Sequence, residues 1–146
     1  MRVIALLALA GCTAPASLPE VSIPLRNPTA PVASQVDADL SHLAGDWVVV
    51  QGAGLAPGST LAFDKGRLVV NGASLPVRNT GPGRLVVGRE TVWIHWIDAD
   101  NRTAALGNPD GTRVWIMDRA GKPGERLRAA REILTWYGYD LSRVAG

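Results

Sequence analysis

Two histidines (His42, His95), one cysteine (Cys12) and a close pair of aspartates (Asp98, Asp100) are the residues of this 146-residue chain whose types could do chemistry. A zinc site needs three or four nitrogen, sulfur or oxygen ligands at recurring spacings. Neither histidine has carboxylate or thiolate partners at such spacing, so no metal is expected. His95 stands between Ile94 and Trp96 in an apolar run. It reads as a ring packed or hydrogen-bonded in a sheet, ahead of a haem ligand or a catalytic base. Asp98 and Asp100 fall in a turn, where carboxylates cap backbone N–H groups. A serine nucleophile needs a base and an orienting acid beside it. The chain contains no Gly-x-Ser-x-Gly, phosphate loop or Cys–His pairing. The expectation is a protein that is not an enzyme, with no catalytic residue and no cofactor.

Cys12 is the only cysteine, so no disulfide can support the fold. Before it come the basic start Met1-Arg2 and an apolar run from Val3 to Gly11, too short for the roughly 20 residues of a membrane span. This is the layout of a secretory signal with a small-residue cleavage site. Leu9-Ala10-Gly11-Cys12 resembles the lipobox of bacterial lipoproteins. That resemblance implies a signal peptide over residues 1–11 and a lipid on Cys12, and Thr13 in place of Asp implies the periplasmic face of the outer membrane over the inner membrane. Residues 12–36 contain Pro15, Pro19, Pro24, Pro28 and Pro31 among Ala, Ser and Thr, and read as a tether. Extended, such a tether reaches up to ~75 Å at about 3.1 Å per residue. Without Arg2 the chain carries 14 basic and 13 acidic side chains, which excludes the concentrated basic surface of a nucleic-acid binder.

The elements that must position these residues are short strands. Candidate strands are 46–51, 59–63, 66–71, 73–79, 84–88, 90–98, 102–107 and 112–118. The separators carry turn chemistry, Asn71-Gly72 most clearly, since both central residues of a type I′ turn need positive φ. Parallel pairing would need crossovers of a dozen residues, and none is available. An antiparallel meander of eight strands closes into an up-and-down barrel. Pro76 removes a ladder donor, so the fourth strand is expected to be short or bulged. Leu127, Ala130, Leu134 and Tyr137 recur at helical spacing, which predicts a helix from about Glu125 to Tyr137, capped by Gly138 and packed on the outer wall. A membrane-surface role for this basic-faced helix is the alternative. Trp93 and Trp96 cannot share a face of one strand without a bulge, so one of them is expected to meet the helix.

Gly45-Asp46-Trp47 at the first strand and Arg119 after the last one resemble the Gly-x-Trp motif and the arginine that covers it in the lipocalin family. The membrane-anchored bacterial branch is the most similar. Ala99-Asp100-Asn101 keeps only the Asp of the family's Thr-Asp-Tyr motif. The stretch from Asp98 to Arg119 and the ending Tyr139-Asp140-Leu141-Ser142 extend the resemblance, which is thinnest between Gln51 and Glu90. It implies an all-β fold with one helix outside, structural roles for Gly45, Trp47, Asp100 and Arg119, and a domain over residues 37–146. It also implies a hydrophobic ligand such as a fatty acid or lysophospholipid. Parity with Trp47 places Val49, Phe63, Leu68, Leu75, Val77, Leu85 and His95 toward the interior. The middle strands and the loop from Gln51 to Gly58 are short. The cup is therefore shallow, open or absent, and absence would make the chain a ligand-free tethered interaction module of the cell envelope.

Overall fold

Tight turns and alternating apolar residues produce eight sequential strands. The computed structural model describes residues 23–146; the expected signal peptide, Cys12 and the first part of the tether lie outside the described residues. The strands are β1 (Gly45–Ala53), β2 (Thr60–Asp64), β3 (Arg67–Val70), β4 (Ala73–Gly81), β5 (Arg84–Val87), β6 (Glu90–Ile97), β7 (Thr103–Gly107) and β8 (Val114–Asp118). Each pairs antiparallel with the next, and β8 returns to β1 with Met117 opposite Val49, so the barrel is closed. Closure leaves no unpaired sheet edge.

The β3–β4 hairpin turns at Asn71 (φ 48°) and Gly72 (φ 88°), as a type I′ turn requires. Pro76 does not shorten β4, which runs nine residues. Gly88, one residue past the end of β5, donates its N–H to the Pro76 carbonyl at 2.8 Å. The donor that proline lacks thus falls where β5 has already ended, and the bulge lies further on, between Asn79 and Gly81.

Apolar residues form two cores. One fills the barrel around Trp47, Leu61, Ile94, Leu106 and Met117. The other lies outside, where Ala105, Val114 and Ile116 meet Ala130 and Leu134 of helix α1 (Arg126–Trp136). Strands β7 and β8 are consequently buried on both faces. The helix runs lengthwise along this wall. Arg126 donates to Thr103 Oγ1 at 2.7 Å at one end of the barrel, and the hydroxyl of Tyr139, just past the helix, lies 3.0 Å from the Asn108 carbonyl near the other.

Residues 23–36 depart from the expected free tether and lie along the barrel. Leu25 N–H bonds to Gly111 O, Asn27 N–H to Gly138 O and Gln35 N–H to Ile94 O, each at 2.8 Å. Arg26 is only 5% exposed and donates to the carbonyls of Tyr137 (2.7 Å), Pro109 (3.2 Å) and Ala30. Prolines favour such a docked, irregular strap, because each one removes an N–H that would otherwise need a partner. The packed domain therefore begins before residue 37.

Candidate functional site

The two ends of the barrel differ. At the floor, a 3-10 turn (Leu40–Leu43) leads into β1, and the Trp47 indole N–H donates to Leu43 O at 2.7 Å. The Arg119 guanidinium lies 3.7 Å from the centre of that indole and donates to the carbonyls of His42 (3.0 Å), Ala44 (2.6 Å) and Asn101 (3.0 Å). Gly45 has φ +98°, and a Cβ there would stand 3.0 Å from an Arg119 nitrogen. The glycine is thus needed for its backbone and for the close approach. His42 sits in the same turn, its Nδ1 accepting the Asp39 N–H at 3.1 Å.

At the opposite end the barrel is open, and inside that mouth lies a cavity of about 340 Å³. Its walls are Leu55, Leu61, Phe63, Leu68, Val70, Leu75, Leu85, Val87, Val92, Leu106 and Trp115, and its rim is Arg89, Glu90 and Arg113. Arg113 Nε and one Nη donate to the Glu90 carboxylate at 3.0 and 3.1 Å, and its other Nη reaches Gly54 O in the β1–β2 loop. Arg89 is exposed and makes no ion pair with any described residue. Two buried polar atoms near this end lack a partner among the described residues: the indole N–H of Trp115 and Oδ1 of Asn108.

Of the residues expected to face inward, Phe63, Leu68, Leu75 and Leu85 line the cavity. Val49 and Val77 are packed into the interior core without lining the void. His95 is elsewhere, and the expectation that it faces the cup is corrected. Val92 and Ile94 face the interior, so alternation along β6 places His95 on the outside of the wall, and the bulge between Ile94 and Trp96 keeps Trp96 outside with it. There Tyr137 and Tyr139 pack on it, each with its ring centre 5.2 Å away. Its Nδ1 donates to Ala33 O at 2.7 Å, which leaves Nε2 to accept from the Tyr139 hydroxyl at 2.8 Å. Burial pushes its pKa down to about 4, the Ala33 hydrogen bond opposes that, and nearby Arg26 adds to it.

The same bulge turns Trp96 toward the helix, while Arg84 lies 4.2 Å from the ring centre of Trp93. Trp115 is the indole at the cavity. In the β6–β7 turn Asp98 is the capping residue, accepting N–H groups of Arg102 (2.6 Å) and Thr103 (2.7 Å). Asp100 is exposed and pairs with Arg102 at 3.2 Å. Among the cavity residues that parity counting missed, Val87 and Val92 alternate in the structure with less buried neighbours. Leu55 and the rim residues sit in or beside loops, where alternation gives no direction.

This architecture recurs in solved structures. Insecticyanin from the tobacco hornworm Manduca sexta matches with a TM-score of 0.56 at 16% identity, over 80% of this chain and 83% of that one. Lipocalin 12 from rat epididymis matches with a TM-score of 0.53 at 14% identity, over 80% and 94% of the two chains. The chain has the lipocalin fold. The major allergen Per a 4 from cockroaches gives 0.54 at 11% identity, over 81% and 93%. No family model and no curated protein matches this sequence. In lipocalin terms, Trp47 and Arg119 close the bottom and the cavity opens at the top. One further outer feature is a shallow groove along α1, walled by Trp96, Leu127, Ile133, Trp136 and Leu141.

Proposed function

We propose that this lipocalin-fold protein binds a fatty acid or lysophospholipid, tail down in the cup. A lipid on Cys12 holds it at the periplasmic face of the outer membrane. The observation that carries the ligand reading is the void itself: about 340 Å³, walled by aliphatic and aromatic side chains, with cationic side chains only at the rim. Ligand pockets have this character, with volumes of about 300–1,000 Å³. The void lies at the small end of that range, which suits one acyl chain better than a bulky ring system. Burial of the chain drives binding at about 25 cal/mol per Å² of apolar surface. Arg89, without an acidic partner among the described residues, meets the carboxylate or phosphate at the mouth, and an oxygen reaching the Trp115 wall supplies the acceptor that its indole N–H lacks among them.

The void favours this reading over a ligand-free interaction module, whose interior would be filled. The anchor is supported by Leu9-Ala10-Gly11-Cys12 and by the absence of any second cysteine for Cys12 to pair with. Titration of the purified protein with a fluorescent fatty acid tests the ligand: one saturable site at micromolar concentration is expected, and no saturable signal overturns it. Mass spectrometry of the protein taken from bacterial membranes tests the anchor. It should show an acylated N-terminal fragment beginning at Cys12.

A further inference from the structure

Features outside the cup converge on its open end. Three large apolar side chains are exposed there: Trp136 (78%), Ile23 (71%) and Leu75 (38%). Ile23 is held at the mouth because Arg143 donates to its carbonyl at 3.0 Å and to that of Pro24 at 2.9 Å, while Leu25 N–H bonds to Gly111 in the β7–β8 loop. Trp136 ends α1, whose first turn is at the floor and whose last turn is at the mouth side. The β1–β2 loop over the same end, Gly54 to Ser59, contains Leu, Ala and Pro and no charge.

Charge does not separate the two ends. The floor carries Asp37, Asp39, Asp46, Asp64, Asp98, Asp100, Asp118 and Glu125 against Lys65, Arg67, Arg84, Arg102, Arg119, Lys122 and Arg126. At the mouth Arg89 and Arg143 balance Asp110 and Asp140, and Arg113 is paired with Glu90. Charge is thus nearly balanced at both ends, and the mouth is set apart by Trp136, Ile23 and Leu75, with Val36 the exposed large apolar side chain at the floor side.

We infer that the mouth of the barrel is a lipid-docking face, resting on a phospholipid bilayer so that the cup opens directly toward acyl chains. The inference rests on the proposed cargo and anchor. Cys12 lies 11 residues before Ile23, and an extended chain spans at most about 3.6 Å per residue, or ~40 Å in all. The anchor thus joins the packed domain at its mouth side, on a shorter reach than a free tether to residue 36 would allow. An exposed indole beside basic side chains is the composition that settles at a membrane–water interface.

Hydrogen–deuterium exchange of the full chain, with and without vesicles of phosphatidylethanolamine and phosphatidylglycerol, tests this. Exchange should slow severalfold in the mouth segments 54–59 and 71–73 and remain unchanged in the floor segments 64–66 and 98–102. Protection of the floor, or of neither end, overturns the inference. An Ile23→Ser, Trp136→Ser double variant should lose at least half of the mouth protection while binding fatty acid as the parent does, since neither side chain lines the cup; full retention of protection also overturns it. Fatty-acid titration of the same samples separates the two readings. Loss of binding with mouth protection intact strikes the cargo alone, and the reverse strikes the docking face alone.

Discussion

The Arg119 guanidinium covers the Trp47 indole at 3.7 Å and at the same time bonds carbonyls from both sides of the floor, His42 and Ala44 before β1 and Asn101 in the β6–β7 turn. A guanidinium over an indole contributes about 0.5–2 kcal/mol, and hydrogen bonds from a charged donor about 1.5–3 kcal/mol each before solvent compensates at this half-exposed site. Arg119→Ala should therefore lower stability by about 2–3 kcal/mol in denaturant titration. Arg119→Lys should recover less than half, because an ammonium cannot span three separated carbonyls.

Leu75 sits at the lip of the cup, partly exposed, so a larger side chain there can block the void without overfilling the core. Leu75→Trp should weaken fatty-acid binding at least tenfold, an effect of about 1.4 kcal/mol, and leave the thermal midpoint within a few degrees of the parent. Val36→Trp, an exposed position at the floor side, should leave binding unchanged. Equal binding by the Leu75 variant and the parent would argue against the cup as the site.

Turn chemistry made the barrel legible: Asn71-Gly72, Gly81-Pro82-Gly83 and the other short separators each allow only a neighbour-to-neighbour connection. Trp47 and Arg119 were legible as a pair through resemblance alone, since nothing in their spacing brings them together. The His95 side was not legible. Parity counted from Trp47 does not survive the intervening turns and bulges, since β6 enters with Val92 and Ile94 inward and His95 therefore outward, and the bulge after Ile94 then turns Trp96 outward too. The docking of residues 23–36 was hidden for a different reason. Composition reports how much apolar surface a segment can bury, and this strap is held by backbone hydrogen bonds and one buried arginine instead.

His95 gives acid sensitivity a defined window. Its folded pKa is about 4 against about 6.5 in an unfolded chain, so below pH 6.5 the unfolded state binds a proton that the folded state refuses. Stability is unaffected above pH 6.5 and falls as the pH drops toward 4, by up to ~3 kcal/mol. Denaturant midpoints measured between pH 7.5 and 4.5 should show this slope. His95→Gln should be less stable at pH 7.5 but largely flat across the same window.

Asp118 acts below that window. Its carboxylate is buried and accepts from Thr103 Oγ1 (2.7 Å), from the N–H groups of Ala120 and Lys122 (3.0 Å each) and from Arg126 (3.2 Å). Burial alone would raise its pKa, and the Thr103 bond together with the two backbone N–H bonds and Arg126 outweighs it, so the net shift is downward. A depressed carboxylate stabilises the fold above its unfolded pKa, about 3.9, and that contribution is lost as pH falls through the folded value. Asp118→Asn should cost about 2–3 kcal/mol at pH 7, since the amide cannot accept all four donors. The difference from the parent should shrink below pH 4.

Arg26 ties the strap to the barrel and also shapes the His95 titration. It is buried without an ion pair to any described residue, its charge met by carbonyls of Tyr137, Pro109 and Ala30. Arg26→Ala leaves those carbonyls without a donor and should cost about 2–4 kcal/mol. Arg26→Lys should restore little, because one ammonium cannot reach three segments arranged around a planar fork. The substitution has a second readout that a purely structural loss would not move. Arg26 helps to hold the His95 pKa down, so its removal should shift the His95 titration upward when followed by imidazole proton resonances, provided the measurement is made below the unfolding temperature of the variant. A chain shortened to begin at residue 37 should show the same stability loss, together with faster amide exchange along the β6 backbone that Gln35 now covers.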